Sequence, residues 1–230
     1  MNDVRQSRPR SATFAVALFA ALYIALTVWI LLGSDVAGDD AFRPVKNLGY
    51  VATAVVGVWA LRDAFVRGWR DLRARPRLTA TVVLGLALMG AASGLSALAQ
   101  LVAPTGGANQ AAIVAEVLAN AASPLGGVLF VVIGGLVAPL VEELFFREIP
   151  FGRLRRRLPT WVAYVLTCTV FALTHLRGIE EWPLAVLYAG FAAALATTYL
   201  LAGRNLLASI AVHAVWNTTG LVFLLLTTTA

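Results

Sequence analysis

Apolar residues run through this chain in long blocks separated by short polar connections, the pattern of helices long enough to cross a bilayer. The first block, Ser11 to Leu32, follows Arg5, Arg8 and Arg10. It exceeds the roughly 7 to 15 apolar residues of a secretory signal peptide, so an uncleaved first span is expected. Gly33 to Lys46 (GSDVAGDDAFRPVK) is expected as an acidic connection with turn formers. A weaker second span starts near Asn47 and continues helically towards Val66, with Arg62 and Asp63 at the interface. Arg67 to Arg77 then forms a basic linker around Trp69 and Pro76.

Leu78 to Val102 is the third span, with Gly90 and Gly94 at a small-xxx-small spacing that favours close helix approach. Pro104 to Ala122 carries Asn109, Gln110, Glu116 and Asn120, which is too polar to span and predicts a loop with a short surface helix. Ser123 and Pro124 supply a cap residue and a first-turn proline for the fourth span. Thr160 to Leu176 and Leu184 to Ala202 give the fifth and sixth. Gly203 stops the sixth, and Asn205 caps a seventh that runs to about Thr227.

The reading is therefore an all-α, polytopic transmembrane bundle of about seven spans, a single integral membrane domain over 1–230. Composition agrees: 60% of residues are hydrophobic and 13% charged, against roughly a quarter charged in soluble domains. A soluble fold is excluded on that balance. The formal charge of +6 would suit nucleic acid only if it formed a basic face on a folded domain, whereas here the arginines occupy short loops. Arg153, Arg155, Arg156 and Arg157 in particular read as an anchor against anionic lipid headgroups. With the N-terminus inside, the inner segments hold fifteen basic residues and the outer ones only Arg43, Lys46 and Arg177, so that orientation is expected. The lone Cys168 permits no intramolecular disulfide.

Candidate chemistry is concentrated at Val141 to Glu148, VEELFFRE, where Glu142, Glu143 and Arg147 end an apolar run that starts at Leu125. Ionisable groups at such depth are retained when paired or used. Four residues apart, Glu143 and Arg147 share a helical face and neutralise each other. Glu142, turned about 100° away, lacks a local partner and is the candidate base. Phe171 and His175 lie four apart in the fifth span, and His213 and Asn217 four apart in the seventh; these are the chain's 2 histidines. At 1.5 Å per residue, Glu143 sits roughly 15 Å and His213 roughly 13 to 14 Å above the inner surface. His175, at about 21 Å from Trp161 by the same rise, needs helix tilt or a dipping loop to join them.

Together EExxxR at Glu142 to Arg147, FxxxH at Phe171 to His175 and HxxxN at His213 to Asn217 resemble the CPBP family, which comprises type II CAAX prenyl endopeptidases and bacterial Abi or bacteriocin-processing proteins. APLVEELFFRE, VFALTHL and LLASIAVHAVWN resemble the surrounding family stretches, and the likeness covers Leu125 to Val222, the expected peptidase core. Glu148 departs from it, standing where the family commonly has glycine.

The resemblance implies an intramembrane glutamate endopeptidase in a multi-pass plasma-membrane protein. Its substrate would be a membrane-associated peptide, either a prenylated CAAX-type tail or a leader. Glu142 and His175 would hold and deprotonate a water, His213 and Asn217 would donate to the tetrahedral oxyanion, and the Glu143–Arg147 pair would fix the helix and tune the field. No cofactor is required on this reading. The alternative is a divalent metal held by Glu142, His175 and His213, although no compact ligand spacing such as HExxH is present. Two rival functions remain open from sequence. One is a transporter or proton pathway, which also uses intramembrane Glu, Arg and His. The other is a non-catalytic immunity or scaffold protein.

Overall fold

The computed structural model describes the backbone of residues 10–74, 78–121 and 123–228, and the side chains of these except 10, 34–40, 72–74, 121, 179 and 228. Arg5, Arg8, Arg75, Pro76 and Arg77, and the side chains of Arg10 and Arg73, thus lie outside the described residues. All regular structure among those described is helical.

The elements are α1 (Arg10–Ala60), α2 (Arg62–Ala74), α3 (Leu78–Val102), α4 (Ala108–Ala121), α5 (Pro124–Val132), α6 (Ala138–Phe146), α7 (Gly152–Leu154), α8 (Thr160–Leu173), α9 (Trp182–Leu201) and α10 (Leu206–Thr228). Two π-helical turns, Ile133–Val137 and Arg147–Phe151, flank α6. With them α5, α6 and α7 form one rod, Pro124–Leu154.

Among the described residues five helices are long and apolar enough to cross a membrane: Ser11–Gly33, Leu78–Val102, Pro124–Leu154, Trp182–Leu201 and Leu206–Thr227. A sixth crossing arises if the bent pair Ala41–Ala60 and Arg62–Asp71 is counted as one. Large apolar side chains such as Phe14, Ile24, Leu95, Leu101 and Phe223 face outward, while Glu143, Arg147, Ser209 and His213 are buried. That distribution matches a hydrocarbon solvent, in which polar groups gather inside the bundle.

Three connections differ from the sequence expectation. Helical backbone continues through the acidic segment expected as a loop, yet the chain still reverses between Gly33 and Ala41. Gly57 abuts Phe19, Gly49 abuts Leu26, and the Trp29 indole N–H donates to the Phe42 carbonyl at 3.3 Å. Those contacts lay the second half of α1 antiparallel on the first. The second span does not run on to Val66; at Leu61 the axis bends by 73° into α2. Because α2 carries Arg62, Asp63, Arg67, Arg70, Asp71 and Arg73 on 13 residues, continuing along the axis would take six charges into lipid, and the bend avoids this. The expected basic linker is accordingly helical as far as Ala74.

α8 stops at Leu173, so it rises only about 21 Å, well short of a hydrocarbon core of roughly 30 Å. α3 packs along α9, and the contact is made at Gly85 against Thr198 and at Ala92 against Gly190. Gly90 and Gly94 have, at most, the edge of Trp216 within reach of a side chain, so the expected small-xxx-small pair is not where the backbones approach. Ser123 caps α5, its hydroxyl accepting from the Gly126 N–H, with Pro124 in the first turn. Asn205 caps α10 through the Leu207 and Ala208 N–H groups, and its own amide donates to the Gly68 carbonyl, which docks α2 against the bundle.

Candidate active site

α6 runs through the middle of the bundle, with Val141, Leu144 and Phe146 fully buried against α1, α8 and α10. Its two carboxylates leave in different directions, as the 100° step between neighbours requires. Glu143 turns to Arg147, which donates from Nε to Oε2 at 2.7 Å and from a terminal nitrogen to Oε1 at 3.2 Å. These side chains are 0% and 1% exposed. A two-point guanidinium–carboxylate contact is what an ion pair needs to survive such burial.

Glu142 turns the other way, towards both histidines. Its Oε2 lies 4.0 Å from His175 Nε2 and 3.8 Å from His213 Nε2. That oxygen is buried and accepts no hydrogen bond among the described residues. Two imidazole nitrogens stand just beyond direct contact, and a water within about 2.8 Å of a carboxylate oxygen and a ring nitrogen bridges gaps of this size. Tyr23 and Tyr50 of α1 are further electrostatic neighbours of Glu142.

His175 owes its position to the early end of α8. The chain tightens there, with the His175 N–H bonding to the Ala172 carbonyl rather than to Phe171 four back. The freed Phe171 carbonyl accepts from the Thr174 hydroxyl at 2.7 Å and from His175 Nδ1 at 2.8 Å. A carbonyl only accepts, so Nδ1 carries the proton; in the neutral ring Nε2 is then a bare acceptor aimed at Glu142. The short helix thus supplies the reach that a straight fifth span denied His175. Phe171 stacks on His175 with centroids 4.6 Å apart and lies 6.2 Å from His213, a packing contact between the two rings.

His213 comes from α10. Its Nδ1 lies 3.4 Å from Glu143 Oε1, close but not aligned as a hydrogen bond. The two glutamates, Arg147 and both imidazoles therefore form one contiguous polar group. Asn217, one turn along α10, donates to the Gly134 carbonyl at 3.4 Å, and Thr218 donates to Gly135 at 3.2 Å. Pro139 bears on both carbonyls, since it has no N–H to offer to residue 135 in α register or to 134 in π register. Asn217 is thus anchored beside the site by the π turn, with no described contact to Glu142.

As they stand, Glu142, His175 and His213 do not make a zinc shell. Ligand atoms around a tetrahedral zinc with bonds of roughly 2.0 to 2.1 Å stand about 3.3 Å apart, and these gaps are 3.8 and 4.0 Å. Among the described residues no group of three or more His, Cys, Asp or Glu is spaced to hold a metal ion. Glu148, the departure from the CPBP-like pattern, accepts from the Tyr199 hydroxyl at 3.2 Å, away from Glu142.

Sequence reasoning missed Tyr188. Its ring stacks on the free face of His175 at 4.8 Å, and its hydroxyl accepts from Asn109 and Gln110 of α4. No pairing at helical spacing within one span announces such a contact.

Residues 124–219, which span the rod, α8 to α10 and the turn that carries His175, match the family model described as Type II CAAX prenyl endopeptidase Rce1-like. Comparison with curated proteins and with solved structures finds no match.

Proposed function

We infer that this chain is a membrane endopeptidase of the Rce1-like family whose model its residues 124–219 match, and that it hydrolyses a peptide bond in a membrane-associated substrate. The observation that carries the mechanism is the unpartnered Oε2 of Glu142 between two imidazole nitrogens. A water at that oxygen gives one proton to a hydrogen bond with Glu142 and the other to the bare Nε2 of His175. Glu142 takes a proton as the water oxygen attacks the scissile carbonyl carbon. His213, protonated at Nε2, donates to the resulting oxyanion, joined by the second amide proton of Asn217. Collapse of the tetrahedral intermediate breaks the C–N bond, and the proton held by Glu142 passes to the leaving amine. Glu143 and Arg147 fix α6 and set the field at His213.

The substrate is a peptide held at the bilayer, a prenylated CAAX-type tail or a leader segment, in a plasma-membrane protein with its N-terminus inside. Seven crossings fit this reading, with the 14-residue α8 and the bent second segment each counted as one. The matched region is the peptidase core. The site opens towards the inner side, where the Arg153 to Arg157 run meets anionic headgroups. In support, Asn109 and Gln110 of α4 bond to Tyr188 in the first half of α9, the half away from the Arg153 to Arg157 run.

The test is cleavage of membrane-anchored peptides by purified protein before and after Glu142→Gln. Loss of roughly 10²- to 10⁴-fold is expected for removal of a general base, with activity retained after metal chelation. Unchanged cleavage by Glu142→Gln rejects the enzyme reading, and proteoliposome flux that disappears in the same variant would point to a transporter instead.

A further inference from the structure

A histidine that orients a water must be held both in the plane of its ring and against rotation about its Cβ–Cγ bond. Its hydrogen bond to the Phe171 carbonyl sets His175 in plane. Rotation is opposed by a sandwich: Phe171 on one face, centroids 4.6 Å apart and planes at 25°, and Tyr188 on the other, 4.8 Å and 26°. Turning the ring would drive its edges into both neighbours.

Phe171 is fixed by its place in α8, but Tyr188 sits on α9 and needs a second support. It receives one from α4. The Tyr188 hydroxyl accepts from Asn109 Nδ2 at 2.8 Å and from Gln110 Nε2 at 3.2 Å, filling both phenolic lone pairs from a single helical turn. That turn is itself tied to the segment behind His175. Glu181, 3% exposed, accepts from the Ala108 N–H at 2.6 Å with one oxygen and from the Arg177 N–H at 2.9 Å with the other. Farther along α4, Glu116 is paired with Lys46 of α1. α4 lies outside the matched residues 124–219 and carries none of the three motifs.

We propose that Tyr188 is a positioning residue for His175, clamped through its hydroxyl by Asn109 and Gln110, so that α4 sets the aim of His175 Nε2 at Glu142. The proposal rests on the reading of His175 as a water-holding group. Amides of an element without reacting groups then control the reaction rate, leaving substrate affinity untouched.

The chain has 2 histidines, so ¹⁵N-histidine labelling of the full-length protein gives two ring systems, and His213→Gln assigns them. In the parent protein His175 shows one protonated and one bare nitrogen, well separated. In Tyr188→Leu these signals draw together as the tautomers mix, and kcat falls between roughly tenfold and a hundredfold with KM within about twofold, the scale of a misaimed catalytic group. Asn109→Ala with Gln110→Ala, on the polar side of α4, moves both readouts in the same direction by less. Added to Tyr188→Leu, the amide substitutions bring no further loss. Either readout changing without the other, or losses that multiply, overturns the proposal. Normal cleavage by Glu142→Gln would instead reject the peptidase reading, while the ring signals would still report whether Tyr188 aims the imidazole.

Discussion

Arg147 reaches back one turn to Glu143 and holds both carboxylate oxygens, at 2.7 and 3.2 Å, inside a bundle that leaves neither side chain accessible. Removing one partner strands the other as a buried charge, which destabilises by about 3 to 5 kcal/mol. Arg147→Ala and Glu143→Gln are therefore expected to lower the melting temperature in detergent sharply. Glu143→Leu combined with Arg147→Met recovers most of that loss, since well-packed apolar residues replace buried pairs at little penalty. Arg147→Lys falls between, because an ammonium cannot bridge both oxygens.

Glu142 makes the opposite prediction. Its buried Oε2 has no donor among the described residues, and an unsatisfied buried acceptor costs roughly 1 to 3 kcal/mol. Glu142→Leu is expected to abolish cleavage and yet raise the melting temperature, the trade between stability and function common at active sites. A fall in thermal stability comparable to that of Arg147→Ala would mean that Glu142 is a structural partner in the cluster.

Pro139 and Thr218 are coupled through the Gly135 carbonyl. Thr218→Val removes the side-chain donor from that carbonyl and is expected to destabilise by about 1 to 3 kcal/mol. In a Pro139→Ala background the restored N–H at 139 can close an α-helical bond to residue 135, so the same Thr218→Val change should then cost little. Additive losses in the double-mutant cycle would disprove the coupling.

Much of the bundle was readable from apolar runs. α3 occupies Leu78–Val102 as expected, and the starts of the rod and of α10 follow from Ser123, Pro124 and Asn205. Connections were harder. The helical α2 contradicts local composition, because packing of α2 on α10 overrides it, whereas between Gly33 and Ala41 the chain reverses as the turn formers ask while its backbone stays helical. Sequence also extended the fifth helix to Leu176, since nothing in THL announces that Phe171 surrenders its carbonyl to an imidazole.

Within the site, spacing alone paired Glu143 with Arg147 and set Glu142 apart from them. It did not foresee that Asn217 bonds to Gly134, because this depends on a proline five residues past that carbonyl on another helix. Tyr188, Asn109 and Gln110 were equally illegible: their relation to His175 spans three elements and exists only once α4 docks.

The abbreviated α8 has a bearing on the surrounding lipid as well. On the proposed reading in which α8 is a crossing, its 14 residues would leave about a third of the hydrocarbon thickness on that side to irregular backbone, which hydrocarbon tolerates only where protein or water shields it. Acyl chains next to Trp161, Val165 and Val170, all outward-facing, would then shorten to match. Hydrophobic mismatch of this kind favours thin membranes by fractions of a kcal/mol per Å, which on that reading would bias where in a cell's lipid landscape the molecule resides.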